Sequence, residues 1–165
     1  MNDNDKIGWK CKTRLEKRHG DINECITPED RRSFLERIEP YEVIEREGNI
    51  LLTVGAERIW QLVANVSAIH FDATTTIGIG NDNTAANAAQ TDLIGASKKY
   101  NAMEATFPSI VDNVITFKSS FGAAEANWAW EEWVIKRTTC LNRKVEVLGT
   151  KAGGTWTFEV TITLA

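Results

Sequence analysis

The sequence predicts a mainly β protein: an antiparallel β-sandwich or jelly-roll-like body with short helices and a charged N-terminal arm. Three observations lead to this. Residues 155–164 alternate between apolar and polar side chains, the period of a strand with one buried face. Several extended segments joined by short loops precede this run, as in antiparallel sandwiches. The first 48 residues hold 22 charged side chains, whereas the other 117 hold 20.

The last strand is the clearest element, because its apolar residues all fall on one face and its threonines on the other. A tryptophan-rich segment before it follows the same alternation up to Trp130, but Trp133 is one residue out of phase. A β-bulge at Glu131–Glu132 would return Trp133 to the core side. Whether Trp133 is buried stays open. The predicted core comprises Trp128, Trp130, Trp156, Phe158, Val160 and Ile162.

Residues 1–47 are predicted to form the charged arm, and residues 48–165 the β-rich body. A segment in which nearly half the side chains are charged has too little apolar area for a core of its own. Thr27 and Pro28 begin a predicted helix over about 28–39, which ends before Pro40. The apolar stripe of this helix is narrow, so we expect it to dock. The expected partner contacts of the arm are Trp9, Phe34, Leu35, Ile38 and Tyr41.

Between the arm and the last strand, the pattern predicts short extended segments around the turn at Gly48 and a second helix over about 56–64. A strand is expected before Asn81, and a hairpin connection over 150–154 feeds the final strand. These elements belong to the predicted body. We expect no internal repeat.

Composition argues against several classes of function. The net charge of -4 and the pI near 5.3 disfavour a nucleic-acid partner, which would need clustered Lys and Arg. No apolar run approaches the roughly 20 residues of a membrane span, and the first residues are too acidic for a signal peptide. The three cysteines lack a framework spacing, which favours a reducing cytoplasm.

Candidate chemical motifs are better explained structurally. Gly78-Ile79-Gly80 lacks the third glycine of a dinucleotide loop, and 81–83 has turn composition rather than a calcium-loop pattern. Cys11, His19 and Cys25 do not have the spacing of a structural zinc site. We therefore expect no metal site and no cofactor.

Glu131 and Glu132, with the nearby Glu125, could be read as the paired carboxylates of a glycosidase. Adjacent strand residues point to opposite faces, so a surface role fits better. With two histidines and no nucleophile elbow, a serine or cysteine triad has few candidates. We expect no catalytic residues and a protein that is not an enzyme.

From Gly48 onward the chain resembles a family of small virion proteins of tailed bacteriophages. The residues that carry this resemblance are 48–52, 77–82, 89–93, 103–108, 115–117, 121–122, 126–132, 141–144, 148–153 and Trp156. The resemblance covers about 117 residues and implies a β-rich body without enzymatic activity.

The resemblance implies a component of the phage particle and does not decide between head and tail. We interpret the chain as a capsid decoration, or cement, protein that binds the outer surface of the head and bridges neighbouring capsid subunits. The implied partners are the major capsid protein and other copies of the same chain, in a homo-oligomer on the virion assembled in the bacterial cytoplasm. Two alternatives stay open: a tail or baseplate component, and a carbohydrate-binding module that uses exposed tryptophans.

Overall fold

The computed structural model describes residues 8–164 and shows two five-stranded antiparallel sheets packed face to face. The strands are β1 Trp9–Arg18, β2 Glu42–Glu47, β3 Ile50–Leu51, β4 Thr76–Gly80, β5 Lys98–Ala102, β6 Ser109–Val111, β7 Val114–Phe121, β8 Ala129–Lys136, β9 Cys140–Thr150 and β10 Thr155–Leu164. The first sheet has the order β2-β1-β10-β7-β6, and the second has the order β3-β9-β8-β4-β5. The prediction of a mainly β sandwich is confirmed.

The core fills the space between the sheets with interlocked aromatic rings. Trp130 of the second sheet meets Trp156 of the first edge to face, with ring centroids 4.8 Å apart. Trp133 and Phe158 make the same kind of contact at 5.4 Å. Such pairs add stabilisation beyond that of the buried area. Trp130, Trp133 and Phe158 are fully buried, and Trp156 is nearly so.

The N-terminal segment differs from the predicted arm, because it supplies two strands of the first sheet, β1 and β2. β1 lies between β2 and β10, and its register with β10 runs from Trp9 opposite Leu164 to Arg18 opposite Thr155. Leu15 is fully buried in the main core. The charged side chains of β1 alternate with core residues, so a high charge density did not prevent burial of one face. Residues 1–7 of the predicted arm and Ala165 lie outside the described residues.

The two helices have clear local causes. Helix α1 (Pro28–Arg37) begins with a capping box in which Thr27 accepts from the amide of Asp30 and the Asp30 carboxylate accepts from the amide of Thr27. Helix α1 ends at Arg37, two residues before the predicted end at Glu39. Helix α2 (Thr53–Val63) begins three residues earlier than predicted. A short 3-10 helix, Ile22–Glu24, follows β1.

The irregularity predicted in β8, at Glu131–Glu132, is present. The register between β8 and β9 shifts between Trp130 and Glu132. As a result, Trp130, Trp133 and Ile135 all join the main core, while Val134 lies on the opposite face.

The outer face of the second sheet is covered by residues 81–97, a segment without regular secondary structure, and by the start of α2. Leu52, Leu93, Val134 and Cys140 form a second, smaller apolar cluster there. The second sheet is thus buried on both faces over this region, whereas the outer face of the first sheet carries charged side chains such as Arg14.

Candidate interaction surface

An apolar cleft of about 310 Å³ opens at one end of the sandwich, between the ends of β1, β7 and β10 and helix α2. Its floor reaches the main core at Phe117 and Ile162, which are buried. The remaining apolar lining is Trp9, Ile59, Phe71, Ile110, Val114, Ile115, Leu141 and Leu164. The polar residues at the cleft are Asp112 and Asn113. We call this feature the apolar cleft.

A second apolar feature lies on the outer side of α2. Trp60 is 69% exposed and Val63 is 72% exposed, and Val66 just after the helix is equally exposed. We call these three residues the helix patch. Large apolar side chains clustered on a surface mark interaction sites more often than isolated ones do. Ile59, the neighbour of Trp60 in the helix, packs against the main core instead.

Helix α2 is held close to the second sheet by a small residue. A Cβ atom on Gly55 would lie 2.0 Å from the carbonyl oxygen of Leu141 in β9. The amide of Leu52, at the helix N-terminus, donates to the same carbonyl oxygen at 3.1 Å. The backbone of α2 therefore rests directly on β9, and the helix patch is presented on a fixed support.

The four sheet edges differ in their protection against pairing with another chain. β2 carries Glu42, Glu45, Arg46 and Glu47 among its six residues. β5 carries Lys98 and Lys99, and β3 has two residues. Charged side chains and short length are the usual protective devices of edge strands. β6 is the sequence Ser-Ile-Val and has no charge, and it borders the apolar cleft.

The five residues expected as partner contacts of the arm lie against the protein's own sandwich. Trp9 lines the apolar cleft and donates its indole N–H to Asn49 at 2.6 Å. Tyr41 stacks on His19 with ring centroids 4.7 Å apart. These contacts are internal, and Tyr41 retains substantial exposure.

The other three residues lie on or beside α1, which packs over the outer face of the first sheet. The ring of Phe34 packs against Gly20. Leu35 lines a cleft between α1 and the turn at 104–107. The carbonyl of Ile38 accepts a hydrogen bond from Arg18 at 2.7 Å. The charged helix is thus docked on the body, and none of these three side chains projects freely as an anchor.

The predicted core residues lie between the sheets, with one partial exception. Trp130, Trp156, Phe158, Val160 and Ile162 are buried. Trp128 is half-buried and packs against the edge of the same cluster. Because the rings of β8 and β10 are enclosed, they present no flat aromatic face to a sugar.

Of the two carboxylates in β8, Glu131 is half-buried, and the surface role expected for Glu132 is wrong. Glu132 is fully buried on the outer face of the second sheet and contacts the guanidinium of Arg143 at 2.8 Å. Its oxygens also accept from the amides of Ile94 and Gly95. Arg143 in turn donates to the carbonyl of Thr84 and to the side-chain oxygen of Gln90. Glu132 is therefore a structural anchor for the covering segment 81–97.

Glu125 occupies a separate network in the loop between β7 and β8. Burial opposes its ionisation, but Lys99 at 2.9 Å, the amide of Gly122 and the side-chain amides of Asn101 and Asn23 all favour the carboxylate. These contacts lower the pKa of Glu125 from 4.5 to about 2. A carboxylate held this firmly ionised is a poor general acid at neutral pH and a good structural acceptor.

The candidate metal ligands and thiols are dispersed. Cys11 is buried in the main core, and burial raises the pKa of its thiol to about 12, which makes it a weak nucleophile. His19 contacts Tyr41, and Cys25 lies near the 3-10 helix. Within residues 8–164, no three His, Cys, Asp or Glu side chains converge as a metal site would require.

The glycine-rich and asparagine-rich motifs are explained by packing. Gly78 lies within β4, where an added Cβ would lie 2.6 Å from the Tyr100 ring. Asn81 accepts from the amide of Ser97, and Asp82 accepts from the amide of Thr84 at 2.7 Å. The positive charge of Arg143 near Asp82 further disfavours a cation there. Of the helices in residues 8–164, none is long and apolar enough to cross a membrane.

Comparison with protein-family models, with curated proteins and with solved structures found no significant match. The surface features are therefore interpreted from their own geometry. Sequence reasoning missed the apolar cleft, the helix patch and the uncharged edge of β6. The signal for β6 was present in the sequence, since Ser109-Ile110-Val111 follows Pro108 without a charge, but strand order was needed to place it at an edge.

Proposed function

We propose that the protein is a non-enzymatic structural protein of a bacteriophage virion, a capsid decoration protein that binds the outer surface of the head and bridges major capsid subunits. The sequence resemblance from Gly48 onward supports this role. The structural observation that carries the proposal is the helix patch, an exposed apolar surface on a fixed support.

The helix patch has the properties of a protein-binding surface. Tryptophan is enriched among the residues that dominate binding energy in protein interfaces. Trp60 is mostly exposed at the centre of the patch, next to Val63 one turn away. Because the backbone of α2 is seated on β9 through Gly55, the backbone that carries these side chains loses little freedom on binding. A rigid apolar patch of this kind is suited to a flat capsid surface.

The test is co-sedimentation of the purified protein with undecorated heads of the bacteriophage that encodes it. We expect Trp60→Lys to abolish binding to heads, since it places a charge at the centre of the patch. Ile26→Lys is the matched control, because Ile26 is 94% exposed but lies apart from α2, beside α1. The proposal fails if the wild-type protein does not sediment with heads, or if Trp60→Lys binds as tightly as wild type.

Two measurements distinguish the proposal from its two alternatives. Sedimentation with tails instead of heads would favour a tail or baseplate component. A carbohydrate-binding module would use Trp60, the most exposed tryptophan of the described residues, because Trp130, Trp133 and Trp156 are enclosed in the core and Trp9 and Trp128 are half-buried. A saturable change in indole fluorescence with glycans, lost in Trp60→Ala, would favour that alternative.

A further inference from the structure

The uncharged edge of the first sheet has an apolar cleft beside it. Within the described part of the chain, β6 pairs along one side with β7, in the register Ile110 opposite Ile115. Its other side is the end of the sheet. An edge strand presents unpaired backbone N–H and C=O groups, which act as a template for another strand. Ile110 is 72% exposed and lines the cleft.

We propose that this edge is the interface of a reversible homodimer, in which β6 of one copy pairs antiparallel with β6 of a second copy. The two first sheets would then form one continuous ten-stranded sheet about a two-fold axis. The inference concerns the protein alone and does not depend on what the helix patch binds.

The contrast in charge favours β6 over the edge strands β2 and β5, and the other uncharged edge strand, β3, is one residue shorter than β6. In the same sheet, β2 is protected by four charged residues, and in the second sheet β5 is protected by two lysines. Ile110 and Val111 are exposed apolar side chains at an unpaired sheet edge, which is where a strand of another copy can add. Pairing about a two-fold axis covers the β6 edge of both copies, so assembly through this edge ends with two copies.

A second copy fits this edge in both charge and shape. With the two-fold axis at Ile110, Ser109 of each copy lies opposite Val111 of the other, and no charged side chain enters the paired segment. Asp112, the nearest charge, falls opposite Pro108 of the second copy rather than opposite another Asp112. Ile110 would lie beside its counterpart on the cleft side of the sheet, so the two clefts would become continuous.

The size of the contact sets its expected strength. Three paired residues supply few backbone hydrogen bonds, so the stabilisation must come mainly from burial of Ile110 and Leu164 at the cleft and of Val111 on the opposite face of β6. These residues are all more than half exposed. A three-residue strand and three apolar side chains make a contact smaller than the roughly 800 Å² per partner of a standard stable interface. We therefore expect a dimer that dissociates on dilution in the micromolar range.

Sedimentation velocity of the full chain at increasing concentration tests the proposal. We expect the wild type to shift from monomer to dimer, and Ile110→Lys to remain monomeric at every concentration. Val111→Lys, on the opposite face of the same strand, should also remain monomeric. Val147→Lys is the matched control, because Val147 is 71% exposed but lies on β9, and it should dimerise like wild type.

Thermal unfolding checks that each variant is folded, which is expected because the substituted side chains are mostly exposed. The proposal is overturned if the wild type stays monomeric throughout, if Ile110→Lys dimerises like wild type, or if Val147→Lys disrupts the dimer as strongly as Ile110→Lys. A monomeric wild type that still sediments with heads would overturn the dimer and leave the proposed function standing.

Discussion

Glu132 and Arg143 form an ion pair at 2.8 Å with both side chains fully buried on the outer face of the second sheet. The pair connects β8 to β9 and holds the covering segment 81–97 through the amide of Gly95 and the carbonyl of Thr84. Breaking a buried pair by removing one partner leaves an uncompensated charge in a low-dielectric site. This relationship leads to the first prediction.

We predict that Arg143→Met lowers the free energy of unfolding by about 3–5 kcal/mol. Adding Glu132→Gln should restore part of this loss, because the double variant removes the buried charge and keeps a side-chain oxygen for Gly95. Urea denaturation of both variants measures the effect. Lys12→Met, which removes one partner of the exposed pair Lys12–Glu47, is the control and should change stability by less than about 1 kcal/mol. A double variant no more stable than Arg143→Met would contradict this account.

Phe158→Ala should cost about 3–5 kcal/mol, as large-to-small changes in cores do. Phe158 is fully buried, and its ring meets Trp133 edge to face. The thermal midpoint measures the change. Val147→Ala removes an exposed side chain from the neighbouring sheet and should be nearly neutral. An unchanged midpoint for Phe158→Ala would mean that this ring contributes little to the core.

Gly55→Ala should destabilise the protein, although alanine is the better helix former by about 1 kcal/mol. The added Cβ would lie 2.0 Å from the Leu141 carbonyl oxygen, so α2 must move away from β9. A lower thermal midpoint and an altered Trp60 emission spectrum are the expected results. An increase in stability would show that the higher helix propensity of alanine outweighs the steric cost of its Cβ against the Leu141 carbonyl oxygen.

Glu125 should make stability depend on pH in the acid range. Its pKa is about 2 in the folded protein and near 4.5 when unfolded, so the unfolded state binds more protons between these values. Its contribution is fully present above about pH 4.5 and is lost as the pH falls towards 2. We expect Glu125→Gln to lower stability at neutral pH by roughly 2 kcal/mol and to flatten the acid dependence.

Glu39→Gln, which changes an exposed carboxylate beyond α1, is the matched control for Glu125→Gln. Urea midpoints measured from pH 7 to pH 2 compare the two variants with wild type. Equal pH dependence in wild type and Glu125→Gln would show that the network of Lys99, Asn101 and Asn23 does not stabilise the carboxylate.

Purified protein should carry no stoichiometric metal and show no glycoside hydrolase activity. Cys11, His19 and Cys25 do not converge, and Glu132 is committed to Arg143. Elemental analysis and hydrolysis assays on common glycans are the measurements. One zinc per chain would overturn the structural interpretation of these side chains.

The sequence was most informative where one face of a strand is uniformly apolar. The alternation in β10 identified Phe158 and its neighbours, and the phase error at Trp133 indicated the register shift in β8. The arm was misjudged because β1 buries few apolar side chains. Lys17 in β1 is nearly buried, with its ammonium 4.3 Å from the Trp156 ring centroid and paired with Glu42. The sequence pattern alone would assign such a charged residue to the protein surface.

The candidate surfaces were beyond sequence reasoning for a related reason. Trp60 and Ile59 are adjacent in one helix, yet one is exposed and the other packs against the core. Periodicity places them on the same broad face of α2 and cannot decide which part of that face the sheet covers. The buried pair of Glu132 and Arg143 likewise follows from segment 81–97 folding over the sheet, which depends on long-range topology.

The pairing of β1 with β10 joins the first strand of the sandwich to the last. Contacts between segments so distant along the chain give a high contact order, for which two-state folding takes milliseconds to seconds. During synthesis, Leu15 and the rest of the inner face of β1 must wait without their partner until β10 has emerged from the ribosome. A nascent chain arrested before β10 should therefore be prone to aggregation and bind chaperones.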